Sequence, residues 1–426
     1  MRRGSHIAWL GKKTPFCGNV TYGLSTTEAL RERGHLISFI HFDNPISPSD
    51  SQTSFLANDP EVSLPYLVKS QVYTIPSPRA QRELRESLER LKPDLVHASL
   101  TLSPLDFRLP ELCQQIGVPL VGTFHPAFDA GIRNLTAGTQ QLTYQLYAPS
   151  LARYDRVIVF SEMQAELLAK LGVNEKKLAV IPNGVNTEVW TPANQDALTP
   201  QQEAIHSRLG EERIFLYMGR IAAEKNVEAL LRAWRQVDPK GCRLVIVGDG
   251  PLKSTLENNS LTANDVDVLW WGYESDLETK IALLQCAEVF VLPSLVEGLS
   301  LSLLEAMATG TACVATDAGA DGEVLEDGAG IVLSTQGVTT QLRTLLPVLR
   351  DQPVLTIELG RRARSRVLER YTLPRNIDAL EKLYAELLDG SPVKTTQPTL
   401  DSFPRLQQPL PLTQNESLPS QDDAKQ

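Results

Sequence analysis

Short apolar runs rich in β-branched residues alternate with longer helical patterns along most of this 426-residue chain. Strands that are apolar on both faces and separated by helices are typical of parallel sheets covered by helices on each side. The runs fall into two series, so the pattern predicts two doubly wound α/β domains. The first series comprises residues 6–10, 36–42, 72–75, 94–98, 119–124, 157–160 and 178–181. The second comprises residues 214–218, 243–247, 266–271, 288–292, 312–315 and 330–333.

A polar, proline-containing stretch separates the two series. We therefore predict a first domain at residues 1–190 and a second at residues 191–375. A helical pattern beyond the second series is broken by a proline, and residues 376–390 are expected to form a closing helix that packs back towards the first domain. Residues 391–426 contain six prolines and few apolar side chains. Such a tail cannot offset its ordering entropy by burial, which predicts disorder.

The net charge of the chain and its distribution indicate which classes of binding partner are favoured. The net charge is −10, which disfavours nucleic acid. Residues 1–190 hold 19 basic and 18 acidic side chains, so the first domain alone is nearly neutral and does not repel an anionic bilayer. No apolar run reaches the length of a signal or transmembrane helix, and the five cysteines lack a paired metal-binding spacing. We expect a cytoplasmic protein, and peripheral contact with the cytoplasmic face of a membrane through the first domain stays open.

A glycine-rich turn, Gly248-Asp249-Gly250, follows the predicted strand 243–247, at the edge where α/β folds bind ligands. The dinucleotide-binding fingerprint would place a third glycine at Lys253. The lysine side chain would obstruct close packing of the helix on the strand, so a NAD-dependent Rossmann enzyme is disfavoured. A tight turn without a ligand is the alternative interpretation.

Two further patterns would suit a diphosphate and a polyol. Arg220 and Lys225 flank a predicted helix start, where backbone N–H groups and flexible cations both favour a diphosphate. Glu297 and Glu305 lie eight residues apart after a buried strand, and two carboxylates at one cleft accept hydrogen bonds from a polyol such as a sugar or ribose. The alternatives are a solvated loop and ordinary glutamates of a helix.

Together with Val180-Ile-Pro-Asn-Gly184-Val, these motifs resemble the signatures of family 4 retaining glycosyltransferases. The resemblance covers about residues 6–388. It implies the GT-B architecture, in which two Rossmann-like domains face each other across a cleft and the second binds the nucleotide-sugar donor. It also implies retention by front-face displacement, without a metal ion or another cofactor. Stabilisation of the leaving diphosphate would then be the main catalytic effect.

The resemblance assigns roles to individual residues. Arg220 and Lys225 would hold the donor diphosphate, and Glu305 the ribose hydroxyls. Glu297 and His125 would reach the transferred sugar and are the implied catalytic residues, although a lone histidine after a strand is otherwise often structural. The other implied donor-site residues are Gly298, Leu299, Ser300 and Leu301 in the loop and Tyr273 near the base. Gly18 is implied on the acceptor side.

Some positions depart from the family pattern. The first-domain loop reads Phe16-Cys17-Gly18-Asn19 where two glycines are usual, so only Gly18 is carried over. Leu299-Ser300 follows Gly298 where Phe-Gly is commoner, and Ala312 replaces a proline; neither change removes a side-chain ligand. Asp265-Val-Asp267 mimics the D-x-D metal signature of the other major glycosyltransferase fold, but it begins a core strand. We therefore predict no metal site there.

The acceptor is indicated by the first domain. Residues 11–35 are similar to digalactosyldiacylglycerol synthases of the cyanobacterial type, which implies a UDP-galactose donor and a glycolipid acceptor such as monogalactosyldiacylglycerol. Apolar side chains in residues 124–154 would line an acceptor groove or belong to the core. A soluble transferase for polysaccharides or small-molecule glycosides and a non-catalytic nucleotide-sugar sensor stay open, because both would share the donor motifs.

Overall fold

The computed structural model describes residues 4–14, 17–43, 61–70, 73–126, 135–194, 198–263, 265 and 267–389. Within them the chain forms two parallel sheets flanked by helices and one two-stranded antiparallel ribbon. The two Rossmann-like domains predicted from the strand pattern are therefore confirmed. The predicted disorder of the tail, residues 391–426, concerns a segment outside the described residues.

The first sheet has seven strands and the second has six. Numbered along the chain, the strands are β1 (His6–Leu10), β2 (Leu36–Phe42), β3 (Glu61–Leu64), β4 (Tyr66–Lys69), β5 (Thr74–Pro76), β6 (Leu95–Ser99), β7 (Leu120–Thr123), β8 (Arg156–Val159), β9 (Leu178–Val180), β10 (Arg213–Met218), β11 (Cys242–Val247), β12 (Val268–Gly272), β13 (Ala287–Leu292), β14 (Ala312–Thr316) and β15 (Ile331–Leu333). The first sheet runs β3-β2-β1-β6-β7-β8-β9 and the second β12-β11-β10-β13-β14-β15.

In each sheet the chain starts in the middle and winds outwards in both directions. β1 pairs with β2 on one side and β6 on the other, and β10 pairs with β11 and β13. Such a reversal of strand order opens a crevice at the carboxyl ends of the central strands, which is where ligands bind in this class of fold. The loops after β1 and β6 and those after β10 and β13 therefore lie at the binding edge of their sheets.

One predicted strand has a different partner from the one expected. Residues 72–75 were expected in the first parallel sheet, but β5 pairs antiparallel with β4 in a separate ribbon. The edge of the parallel sheet is instead formed by β3, whose residues alternate between exposed and buried positions. This alternation is typical of a strand covered on one face, and it is hard to distinguish from a loop over only four residues.

The helices lie between the strands in the described part of the chain. They are α1 (Gly18–Glu32), α2 (Ala80–Leu91), α3 (Leu109–Ile116), α4 (Leu135–Leu151), α5 (Glu162–Lys170), α6 (Pro200–Leu209), α7 (Val227–Trp234), α8 (Lys253–Ala263), α9 (Leu277–Cys286), α10 (Leu301–Ala308), α11 (Asp321–Val324), α12 (Val338–Asp351), α13 (Pro353–Arg370) and α14 (Leu373–Leu388). Short 3₁₀ turns occur at Pro104–Phe107, Glu175–Lys177 and Ala223–Lys225. No helix among the described residues is both long and apolar enough to span a bilayer.

Helix α14 packs against the first sheet rather than the second. Thr372 caps the helix by accepting a hydrogen bond from Arg375 N at 3.4 Å, and Pro374 lies in the first turn, where no backbone donor is needed. Ile377 and Leu380 are fully buried in one apolar cluster with Ile7 of β1. Burial of such side chains contributes about 1.5–3 kcal/mol each, so these contacts hold the helix on the first sheet.

Candidate active site

The loop after β10 carries both cations of the predicted diphosphate site. Its backbone lies directly on the Gly248-Asp249-Gly250 turn, because Gly219 N donates to Val247 O at 3.0 Å and Ile221 N donates to Asp249 O at 2.8 Å. A Cβ atom on Gly248, whose φ is +140°, would lie 1.9 Å from Gly219 O. The glycine is thus required by the close approach of two backbones. The glycine turn therefore packs against the backbone of the loop that carries Arg220 and Lys225.

Half-buried Lys225 and buried Glu297 form an ion pair in the candidate site. The Lys225 ammonium donates to Glu297 Oε1, and Ser294 Oγ donates to the same oxygen at 2.8 Å. Glu297 is only 7% exposed, so these two donors replace water that would otherwise hydrogen-bond to the carboxylate. The structure therefore brings together two predicted site residues that are 72 positions apart in the sequence.

Arg220 lies on the same loop but has a different partner. Its guanidinium is paired with Glu224, and its backbone oxygen accepts a hydrogen bond from Tyr217 OH at 2.7 Å. Burial, together with the charges of Glu297 and Glu224, raises the pKa of Tyr217 well above its usual value. Tyr217 therefore stays protonated and donates, which fixes the backbone from which Arg220 projects.

The predicted anion-binding loop, Gly298 to Leu301, leads into α10. Ser300 N donates to Asp321 Oδ1 at 2.9 Å, while Leu299 O accepts from Asn183 Nδ2 at 3.1 Å. Ser300 is the N-cap of α10, and its Oγ accepts from Leu303 N at 3.4 Å. The Ser300 amide therefore already has an intramolecular acceptor in this structure.

Asp321 is a buried carboxyl group that the sequence analysis missed. It is 1% exposed, and burial together with the charge of Glu297 raises its pKa well above the usual range. It belongs to α11, which follows β14, so it lies at the binding edge of the second sheet. Its place after a buried strand is a signal that could have pointed to it.

Glu305 and Tyr273 are the other two predicted donor-site residues whose side chains the structure describes. Burial raises the pKa of Glu305, in the second turn of α10, to about 7, and the charge of Lys280 opposes this rise. Tyr273 follows β12 and is 59% exposed. Trp271, two residues earlier, has the Arg208 guanidinium over its ring at 3.6 Å. Among the described residues, neither side chain has a hydrogen bond to Lys225 or Glu297.

His125 follows β7 in the first domain, and its backbone contacts the Gly298-to-Leu301 loop of the second domain. A Cβ atom on Gly298 would lie 3.2 Å from His125 O, so a larger residue would press the two loops apart. Ser99 Oγ lies 2.8 Å from His125 Nε2. Burial and the nearby charge of Lys12 lower the pKa of His125 to about 3, so the imidazole is neutral at physiological pH. Lys12 and Ser99 were not predicted from the sequence.

Gly18 is the first residue of α1 and lies in an exposed position. A Cβ atom there would have no heavy atom within 4 Å, so sterics within the described structure do not require glycine. Asp265 of the D-x-D sequence forms hydrogen bonds of 2.8–3.0 Å with Arg235, which neutralises its charge. The described residues contain no group of three or more His, Cys, Asp or Glu side chains placed to hold a metal ion.

The apolar side chains of residues 124–154 divide between core and surface. Phe124, Tyr147 and Leu151 are buried, whereas Leu142 and Leu146 are 66% and 62% exposed on one face of α4. The helix sequence contains no charged residue. Exposed apolar side chains also occur on the β4–β5 ribbon, at Leu67, Val68, Tyr73 and Ile75. The first domain therefore presents apolar surface near the end of the sheet that carries His125.

Two family models match the chain. The one described as Glycosyltransferase Family 4 matches residues 18–189, and the one described as Glycosyl transferases group 1 matches residues 212–349. The UDP-Gal:alpha-D-GlcNAc-diphosphoundecaprenol alpha-1,3-galactosyltransferase of Escherichia coli is 27% identical over 72% of this chain and 78% of its own. The alpha-monoglucosyldiacylglycerol synthase of Streptococcus pneumoniae is 27% identical over 55% of each chain. The structure of Anabaena HepE with UDP-glucose superposes with a TM-score of 0.72 at 16% identity, over 89% of this chain and 100% of that one.

Proposed function

Because the chain belongs to glycosyltransferase family 4, we propose that it transfers galactose from UDP-galactose to the sugar of a membrane glycolipid, with monogalactosyldiacylglycerol as first choice. The observation that carries this proposal is the Lys225–Glu297 ion pair, because Gly298, the residue after Glu297, contacts the backbone of His125. In this proposal a cation for the diphosphate, a carboxylate for sugar hydroxyls and a neutral imidazole act on one bound donor.

The proposed transfer retains the configuration of the sugar. The bond between the anomeric carbon and the diphosphate oxygen breaks, the acceptor oxygen bonds to the same face, and the acceptor proton passes to the departing phosphate. Lys225 and Arg220 stabilise the charge that develops on the diphosphate, which is the principal contribution to catalysis. Glu297 Oε1 accepts from Lys225 and Ser294, and we propose that the carboxylate also accepts hydrogen bonds from the sugar. The proposed mechanism uses the two cations in place of a metal ion.

The donor assignment is supported by the relatives. The Escherichia coli enzyme is named for UDP-galactose, and the Anabaena structure contains UDP-glucose. Both carry the same nucleotide diphosphate, which the cations Arg220 and Lys225 suit. Tyr273, exposed two residues after Trp271, is the proposed contact for the base.

The acceptor assignment is supported by the exposed leucines of α4. Two relatives are named for lipid-linked products or acceptors, one a diphosphoundecaprenol and the other a diacylglycerol. Contact of Leu142 and Leu146 with acyl chains would bring a lipid headgroup to the domain that carries His125. Peripheral attachment of this kind is reversible, because a few exposed apolar side chains bind far more weakly than a transmembrane helix.

The direct test is transfer from radiolabelled UDP-galactose, UDP-glucose and GDP-mannose to vesicles with and without monogalactosyldiacylglycerol, in buffer containing EDTA. We expect labelled digalactolipid from UDP-galactose only, with an α-linked second sugar and no loss of rate in EDTA. Transfer only to a lipid diphosphate sugar, or only to a soluble sugar, would replace the acceptor assignment. Restoration by Mn²⁺ of a rate abolished by EDTA would contradict the metal-free mechanism.

Donor affinity should fall as the pH drops through about 7. Burial raises the pKa of Glu305 to about 7, and its protonation below that pH removes an acceptor for the ribose hydroxyls. The Kd for UDP-galactose should therefore rise by up to about tenfold per pH unit below 7, whereas Glu305→Gln should bind weakly with a flat profile. Calorimetry without acceptor measures this directly.

A matched control is available for this measurement. Glu323 on α11 also has a pKa raised to about 7 by burial, but it accepts a hydrogen bond from Met163 N of the first domain. Glu323→Gln should keep the pH dependence of the wild type. If Glu305→Gln keeps it as well, Glu305 is not the ribose ligand.

A further inference from the structure

His125 is held by a short chain of hydrogen bonds that the proposed donor site does not use. Its Nε2 lies 2.8 Å from Ser99 Oγ, and Ser99 Oγ lies 3.1 Å from Asn19 Oδ1. Asn19 Nδ2 lies 3.1 Å from Leu100 O. Ser99 ends β6 and Asn19 lies in the first turn of α1, so the chain links two elements at the binding edge of the first sheet.

The far end of this chain determines the direction of every hydrogen bond in it. A backbone carbonyl only accepts, so the amide nitrogen of Asn19 faces Leu100 O and the amide oxygen faces Ser99. An amide oxygen also only accepts, so the Ser99 hydroxyl donates to Asn19. The Ser99 oxygen can then only accept from His125, and Nε2 of the imidazole carries the hydrogen.

Nδ1 of His125 is consequently the unprotonated nitrogen. His125 is half-buried, and within the described residues Nδ1 has no partner and is not one of the buried unpaired atoms. The titratable groups that influence the ring are Lys12 and His97, and the pKa of His97 is itself lowered to about 3 by burial and by His125. Tyr22 and Phe160 pack against the ring at centroid distances of 4.9 and 5.3 Å and limit its rotation.

We infer that Asn19 and Ser99 are positioning residues that hold His125 as the Nε2–H tautomer, so that Nδ1 accepts a hydrogen bond from a substrate hydroxyl group. The inference rests on the proposed function, which puts a sugar next to His125. A neutral acceptor nitrogen selects a group that has a hydrogen to donate and disfavours a phosphate or carboxylate. The asparagine that departs from the usual two-glycine loop thus serves to orient the histidine.

The tautomer can be measured without any substrate. Spectra of ¹⁵N-labelled imidazoles separate the two tautomers, and His125→Gln identifies the His125 signals among the six histidines. In the full-length wild type we expect Nε2–H with an unprotonated Nδ1 at neutral pH, and in Ser99→Ala a mixture of both tautomers. An Nδ1–H tautomer in the wild type, or an unchanged tautomer in Ser99→Ala, would overturn the inference.

Kinetics then separate positioning from a structural effect. Ser99→Ala and Asn19→Ala should each lower kcat by about tenfold with a smaller change in donor KM, and the double variant should be no slower than either single one, because both act through one chain. Independent, multiplying losses would contradict this. Asn19 is half-buried, so Asn19→Ala serves in both measurements if Ser99→Ala does not fold.

Ser38→Ala is the matched control. Ser38 Oγ lies 2.8 Å from His6 Nε2 in the same sheet, but His6 begins β1, at the end opposite the binding edge. This variant should keep both kcat and the His125 tautomer. If no donor sugar is turned over by the wild type, the proposed function fails while the tautomer measurement still decides the inference.

Discussion

Lys225→Ala should lower kcat/KM for UDP-galactose by about 100-fold or more. The substitution removes the cation proposed to stabilise the leaving diphosphate and leaves Glu297, only 7% exposed, with Ser294 as its remaining donor. Each lost charge-assisted hydrogen bond costs about 1.5–3 kcal/mol, and two such losses correspond to about 100-fold or more in rate. Steady-state kinetics with the identified acceptor measure the effect.

An exposed ion pair of the same domain provides the control. Arg232 is paired with Glu228 on α7, and both side chains are more than half exposed. Exposed pairs of this kind contribute about 0–1 kcal/mol, so Arg232→Ala should change kcat/KM by less than about fivefold. Melting temperatures of both variants separate a loss of folding from a loss of catalysis. Wild-type kinetics in folded Lys225→Ala would remove Lys225 from the mechanism.

Glu297→Gln tests the other half of the pair. Glutamine keeps an oxygen that accepts from Ser294 but removes the charge that holds the Lys225 ammonium. If the two side chains act as one unit, the double variant should lose less transition-state free energy, measured from kcat/KM, than the sum of the losses in Glu297→Gln and Lys225→Ala. Additive losses would indicate that the two side chains act on separate parts of the donor.

The central strands could be predicted because burial on both faces leaves a clear trace in the sequence. β1 and β10 are central strands of sheets that helices cover on both faces, so nearly every position favours an apolar residue. The β4–β5 ribbon gave a weaker trace, because only one of its side chains is buried and its two strands are only four and three residues long. The sequence therefore did not indicate that β5 pairs with β4 rather than with a strand of the parallel sheet.

Motifs in the sequence identified individual residues of the site but not the contacts between them. Lys225 and Glu297 were each identified, but their contact depends on two loops meeting at the edge of the second sheet. Ser99 and Asn19 were missed because a serine at a strand end and an asparagine in a helical turn are common, and only the neighbouring positions of β6 and α1 bring them together. Asp321 was missed for a similar reason, since its partner is a backbone amide 21 residues away.

Replacing both exposed leucines of α4 by glutamate, Leu142→Glu with Leu146→Glu, should abolish vesicle binding and lower transfer to the vesicle-borne galactolipid by about 100-fold or more. Insertion of a leucine into an apolar phase contributes about 1.5–3 kcal/mol, so losing two corresponds to about 100-fold or more in affinity. The added negative charges also oppose approach to anionic lipid. Vesicle co-sedimentation and transfer assays measure the two effects.

The control replaces equally exposed side chains elsewhere. Leu261 and Ile357 are 74% and 72% exposed in the second domain, and their glutamate variants should bind vesicles like the wild type. The affinity of the α4 double variant for UDP-galactose should also be unchanged, because neither leucine belongs to the donor site. Full vesicle binding by the α4 variant would place the lipid contact on another surface.

Transfer to a water-soluble galactoside shows whether the α4 leucines act in membrane contact or in the acceptor site. Tyr144 of α4 donates to Pro126 O at 2.8 Å, and Gln164 Nε2 donates to Tyr144 OH at 2.8 Å, so the buried face of the helix fixes the residue that follows His125. Leu142 and Leu146 lie on the opposite, exposed face. Their replacement should therefore remove the membrane contact without moving His125, and transfer to a soluble galactoside should stay near the rate of the wild type. Equal loss with soluble and vesicle-borne acceptors would mean that the leucines shape the acceptor site itself.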